Sequence, residues 1–174
     1  MAERLPYYEQ KYSRLRDVTL CYLVSGDGKK VLIAMKKRGF GKGKLNGIGG
    51  KVESGESITD ALIRETSEEI GTRLLEFEKV GMINFYFENS PPDKDFNQRV
   101  HVFLGRKWEG EPSESEEMAP MWTDVSRLPL EKMWADDEYW LPLVLSGKKI
   151  VASFLFENEE KISEMKIEEV NVVE

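Results

Sequence analysis

The sequence predicts a single α+β domain built on a mixed sheet, with one well-formed helix set between sheet segments. Short runs rich in β-branched and aromatic residues recur along the chain, bounded by glycine-containing turns. One segment, residues 57–71, switches to a helical period and carries start and stop signals at its two ends. No repeat, linker or low-complexity stretch divides the 174 residues, a length that suits one domain with a proper core.

Taken in order, residues 1–17 are a polar, Tyr-rich lead without a clear pattern, and the domain is expected to span residues 18–174. VTLCYLV (Val18–Val24) reads as a largely buried strand. SGDGKK, centred on Asp27-Gly28, reads as a hairpin turn, with VLIAMKKR (Val31–Arg38) as the partner strand. GFGKGKLNGIGGK is too rich in glycine for regular structure and is expected to be a loop. Ser57 or Thr59 caps the helix that follows, and Gly71 ends it. Val80–Phe87 and Gln98–Trp108 are strands, joined by a polar loop containing Pro91-Pro92. Ala119–Val125 is a short strand after the acidic run SESEEM. DDEYWLPLVLSGK forms a short helix despite Pro142, and the tail from Lys149 makes two strands around a polar turn.

Hydrophobic residues at 40% and charged residues at 33% are the balance of a globular chain rather than a disordered one. A net charge of −7 argues against a surface for nucleic acid. It leaves room for a nucleotide, because a divalent cation can sit between acidic protein and acidic phosphate. The one cysteine, Cys21, excludes an intramolecular disulfide and reads as a small buried hydrophobe. The lead has no apolar signal-peptide core, and no apolar run approaches the length of a membrane span, so a cytoplasmic location is expected.

The helix poses the chemical question. Residues three and four apart share one side, so Glu65, Glu68 and Glu69 fall on one narrow face, with Ile63, Thr66 and Ile70 towards the opposite half. The i,i+4 like-charge pair Glu65/Glu69 costs about 0.2–0.5 kcal/mol. Clustered carboxylates suit a hard cation such as Mg²⁺, a glycine-loop carbonyl can add a ligand, and Arg64 can pair with Glu68. The competing reading is a solvated acidic face.

Gly50, Glu56, Arg64-Glu65, Glu68-Glu69 and Gly71 match the Nudix box, G-x5-E-x7-R-E-U-x-E-E-x-G-U, at every charged and glycine position. Thr66 and Thr72 stand where bulky aliphatic residues are usual. The sequence thus resembles the Nudix hydrolases. The resemblance implies an α/β/α sandwich with a mixed central sheet and the Nudix loop-helix. It also implies hydrolysis of a nucleoside diphosphate linked to another moiety with Mg²⁺, Mn²⁺ being able to substitute. Glu65, Glu68, Glu69 and the Gly50 carbonyl are the implied metal ligands, with Arg64 and an orienting Glu56 completing the catalytic set. Metal binding would neutralise phosphate charge and lower the pKa of a bound water.

MKKRGFGKGKLNGIGGKV (Met35–Val52), VHVF with ESEEM downstream, and MWADDEYWLPLVL (Met133–Leu145) are similar to the animal-type oxidised purine nucleoside triphosphatases, a Nudix subgroup. The matching residues make chemical sense for a purine pocket. Trp134 can stack on a base for about 1–3 kcal/mol, and Asn46 offers a donor and an acceptor. Asp136 and Asp137, enclosed together, would share a proton and so present a donor beside an acceptor. The alternative reading is a helix N-cap and a first-turn acid. Phe40, Phe85 and Phe87 match pocket positions, although the latter two also suit strand core. Thr19 and Lys36 match positions near the base or phosphates. Glu117 matches a metal-linked or base-like glutamate, with a solvated acidic loop as the other reading. His101, the sole histidine, is expected to be structural. Leu45, Gln98, Arg99 and the long loop after Phe87 depart from the subgroup pattern beside the expected pocket.

The expected function is Mg²⁺-dependent conversion of oxidised purine nucleoside triphosphates to the monophosphate and pyrophosphate. The alternatives are a Nudix enzyme acting on canonical dNTPs, ADP-ribose or a dinucleoside polyphosphate, and a catalytically silent nucleotide-binding module. The implied partner is a small-molecule nucleotide, with no nucleic-acid polymer and no membrane; a monomer is expected, with a dimer left open.

Overall fold

A computed structural model describes residues 2–89 and 96–174; the expected Pro91-Pro92 loop lies outside the described residues. Five strands, β1 (Arg16–Leu23), β4 (Arg73–Phe87), β5 (Gln98–Glu109), β7 (Lys149–Asn158) and β8 (Lys161–Val170), form the main sheet in the order β1-β5-β4-β7-β8. Pairing is mixed: β1 with β5 and β4 with β7 run parallel, whereas β4 with β5 and β7 with β8 run antiparallel. A smaller antiparallel sheet holds β3 (Leu45–Asn46), β2 (Lys30–Lys36) and β6 (Met118–Asp124) in the order β3-β2-β6. The helices are α1 (Leu5–Lys11), α2 (Ile58–Ile70) and α3 (Asp137–Leu145).

Side-chain alternation along the strands divides the core in two. Cys21 and Leu23 of β1 turn to one face, where they meet Leu62 and Ile70 of α2. Tyr22 turns to the other, where it joins Ile83, Phe85, Val100 and the α3 residues Trp140 and Leu141. The result is the α/β/α sandwich with a mixed central sheet. Away from α2, the lead forms α1 and covers Tyr86 and Leu155 through Leu5, Tyr8 and Tyr12. The Glu164 carboxylate accepts from the backbone N–H groups of Arg4 and Leu5 and anchors that helix start.

The expected hairpin between residues 18–24 and 31–38 does not form as a ladder. Its turn closes, with Ser25 N–H donating to Lys30 O, but only the Val24–Val31 bridge pairs the two segments. Both strands bury side chains on both faces, Tyr22 and Ile33 in one core, Cys21 and Leu32 in the other. Each therefore needs cover on two sides and joins a separate sheet. The glycine-rich stretch is a loop except for the two-residue β3. Pro142 lies inside α3 and forfeits one intrahelical bond without ending the helix. Among the described residues, no helix is long and apolar enough to cross a membrane.

Candidate active site

On the α3 side of the main sheet lies a cavity of about 790 Å³. Val18, Leu20 and Val100 form its floor, and Phe85, Phe87 and Phe156 its wall. Phe85 and Phe87 are also core residues, at 9% exposure each, so pocket and core are one surface here. The end of β2 supplies Lys36, and the glycine-rich stretch with β3 supplies Phe40 and Asn46, along one rim; the segment entering α3 supplies Trp134, Asp136 and Asp137 along another. Phe40 and Trp134 face each other with ring centroids 5.1 Å apart. Thr19, fully buried, also borders the cavity and approaches the Gly50 carbonyl at 3.4 Å.

The two aspartates are almost completely buried, at 3% and 2% exposure. The Asp136 carboxylate accepts from the Trp140 indole N–H at 2.7 Å, and Asp137 accepts from the Trp134 backbone N–H at 3.0 Å. Asp136 sits at the N-cap position without capping α3 by its side chain, and Asp137 opens the first turn. Burial pushes both carboxyls above the ordinary aspartate range, and the neighbouring Asp136 charge raises Asp137 further.

The acidic helix borders the same cavity. Ser57 caps α2, its hydroxyl accepting from Asp60 N–H at 3.0 Å, and Gly71 ends it in the left-handed conformation at φ 71°. Of the three glutamates of α2, Glu69 is buried and reaches the cavity, the Glu65 side chain is 13% exposed and the Glu68 side chain 59% exposed. Arg64 is the hub beneath them. It forks onto both oxygens of Glu56 at 2.8 and 2.9 Å, reaches Glu65 at 2.9 Å and Glu68 at 3.2 Å, and donates to Lys51 O. Arg64 thereby holds the Glu56 carboxyl down at about 2. Burial first, then the Glu65 charge, push Glu69 up to about 8, and burial raises Glu65 as well.

No metal-holding group of three or more His, Cys, Asp or Glu is gathered among the described residues, and Arg64 engages an oxygen of both Glu65 and Glu68. The donor chemistry nevertheless fits a hard divalent cation. Glu69 is a buried carboxylate beside a second carboxylate, with one oxygen accepting from Gly49 N–H at 3.2 Å. Glu65 lies so close to Gly50 that any side chain there would strike its carboxylate, and Gly49 touches the Thr19 backbone in the same way. Lys36 lowers the Glu69 carboxyl against the repulsion of Glu65 and Glu117, and a divalent cation would offset that repulsion further. Glu117 pairs with Arg38 at 2.8 Å and lies close enough for its charge to raise both Glu65 and Glu69.

His101 bonds Asp17 and Lys79, each at 2.8 Å, on the sheet face away from the cavity. The cavity also takes in residues that the sequence expectations did not assign to the site, Lys44 and Phe96 among them. Lys44 lies 5.1 Å from the Trp134 ring centroid and pairs with Glu160 of the β7–β8 turn. Phe96 stacks on Phe40 at 4.4 Å, and Gln98 lines the mouth. An aromatic residue at the end of a polar loop, beside a Phe-x-Phe strand, was the available signal for Phe96.

A family profile described as the NUDIX domain matches residues 14–144. The chain is 45% identical over 141 residues to an oxidized purine nucleoside triphosphate hydrolase from Danio rerio, covering 81% of this chain and 88% of that protein. It is 43% identical over 143 residues to the protein of the same name from Mus musculus, covering 82% and 89%. Among solved structures, the mutator MutT protein from Bacillus halodurans superposes with a TM-score of 0.74 at 26% identity, covering 88% of this chain and 97% of that one.

Proposed function

Because the chain belongs to the Nudix family, we propose that it hydrolyses oxidised purine nucleoside triphosphates, of the 8-oxo-dGTP and 2-oxo-dATP type, to the monophosphate and pyrophosphate. In that role it clears damaged nucleotides from the pool. The observation that carries the reading is the buried pair Asp136 and Asp137 on the rim of an aromatic cavity that also borders the acidic helix.

Hydrolysis by Nudix domains generally needs a divalent metal. Mg²⁺ is the proposed cation, with Mn²⁺ able to substitute, held by Glu65, Glu68, Glu69 and the Gly50 carbonyl, with Glu117 beside them. Bound there, it supplies neutralisation of phosphate charge and acidification of a water. The chain's own residues do the rest. Arg64 and Glu56 fix the glutamates, and Lys36 pairs with phosphate oxygens. Trp134 stacks on the base, enclosed by Phe40, Phe85 and Phe87, while Asn46 and Thr19 border its edge. One proton shared by Asp136 and Asp137 gives a donor beside an acceptor, and moving that proton adapts the site to more than one oxidised purine.

The test is steady-state pyrophosphate release by Asp136→Asn and Asp137→Asn. An amide cannot exchange the donor and acceptor roles, so kcat/KM for the oxidised substrates is expected to fall by about 1–3 kcal/mol, roughly 5- to 150-fold, with metal dependence unchanged. Wild-type activity in both variants would remove the acid pair from base recognition.

A further inference from the structure

Behind the cavity lies a buried aromatic pair, of which Trp140 lines the cavity and Tyr22 does not. Tyr22 of β1 is fully buried and packs edge to face on Trp140 of α3, ring centroids 6.2 Å apart. Each ring ends in a polar group spent on one residue of the cavity rim. The Trp140 indole N–H donates to Asp136, and the Tyr22 hydroxyl donates to Asn46 Oδ1 at 3.1 Å.

Asn46 Oδ1 also accepts from the Gly47 backbone N–H at 2.8 Å. A backbone N–H can only donate, so this bond fixes which end of the amide faces Gly47. With the Tyr22 hydroxyl on the same oxygen, both carbonyl lone pairs are filled. The amide nitrogen is left for the cavity, since among the described residues the protein offers it no acceptor. The arrangement is tightly built: a Cβ on Gly47 would lie 2.9 Å from two atoms of the Tyr22 ring, so ring and turn hold each other in place. Burial, with the charges of Asp137 and Asp136, raises the Tyr22 pKa well above its usual value, and the hydroxyl keeps its proton.

We propose that Tyr22 is a positioning residue for substrate selection: by filling the second lone pair of Asn46 Oδ1 it commits Asn46 to a donor-only role, so that this rim of the cavity recognises a carbonyl or ring-nitrogen acceptor on the purine edge. The inference rests on the reading of the cavity as a purine site and deepens it. Without the tyrosine hydroxyl, the free lone pair lets the amide tilt and present its oxygen, and acceptor edges lose their advantage over donor edges.

The experiment measures binding of 8-oxo-dGMP without added metal, by calorimetry, to wild type, Tyr22→Phe, Asn46→Ala and the double variant. Phenylalanine keeps the ring that packs on Trp140 and Gly47, so the fold is preserved. Tyr22→Phe is expected to weaken binding about 2- to 10-fold, the loss of one hydrogen bond. In the Asn46→Ala background the same change is expected to have no further effect, because the hydroxyl acts through Asn46. A general packing role would give additive losses, and additive losses overturn the proposal, as does Tyr22→Phe binding like wild type. The assay does not depend on turnover. Coupling in binding without hydrolysis of oxidised triphosphates would leave Tyr22 in its role and overturn the proposed reaction. Hydrolysis with additive binding losses would do the reverse.

Discussion

At the scale of single residues, the site is governed by carboxyl groups that burial has made reluctant to ionise. Asp137 is the clearest, raised by desolvation and by Asp136. A raised folded pKa means the folded state holds a proton that the unfolded chain has released. The stabilising contribution is therefore full below the ordinary aspartate value of 3.8 and is lost as pH rises through the raised values. Asp137→Asn can keep the Trp134 bond yet has no charge to bury. In metal-free buffer its melting temperature is expected to gain on that of wild type between pH 5 and pH 8, with Glu65 and Glu69 common to both proteins. A gap that stays constant with pH would deny the buried titration. Gly50 makes a second point. A methyl group there would push the Glu65 carboxylate aside, and displacement by about 1 Å lowers turnover on the order of 100-fold. Gly50→Ala is expected to fold and to lose kcat to that extent; full activity would show that Glu65 has room to spare. The spacing of the box made Glu65, Glu68 and Glu69 legible, but their unequal depth was not. Lys44 and Tyr22 were hidden for different reasons. A lysine among glycines carries no local sign of the ring it will meet, and a tyrosine in an apolar strand shows nothing of where its hydroxyl ends.

At the scale of elements, local signals governed where they were self-sufficient. Ser57, Gly71 and the helical period bound α2 between them without tertiary help. The β1–β2 hairpin failed as an expectation because a turn signal fixes only the turn. Burial on both faces then decided which sheet each strand joined. β4 begins seven residues before the expected Val80, since its first half alternates charged and apolar residues and breaks register at three places. The two box positions with threonine, Thr66 in α2 and Thr72 just past its end, differ in how their hydroxyls are held. Thr66 is fully buried and donates to Leu62 O at 2.7 Å, whereas the Thr72 hydroxyl is buried without a partner among the described residues. Replacing that hydroxyl by a methyl group of the same shape removes an unsatisfied polar group, so Thr72→Val is expected to stabilise by about 1 kcal/mol. Urea unfolding checks it, and a destabilised variant would mean that the hydroxyl has an unrecognised partner.

At the scale of the whole molecule, the sandwich gives the sheet two duties. One face is closed by α2 and α1, and the other is left partly open between α3, the glycine loop and the β7–β8 turn, where the cavity forms. The family assignment was legible because the box is a local pattern. The shape of the pocket was not, because Lys44, Phe96 and Glu159 reach it from segments far apart in sequence. The central claim is that this cavity selects an oxidised purine for hydrolysis at the adjoining acidic helix. Pyrophosphate release with Mg²⁺, compared as kcat/KM for 8-oxo-dGTP against dGTP, tests it most directly. The account predicts a preference for the oxidised base of at least about tenfold. Equal rates, or a preference for dGTP, would contradict it.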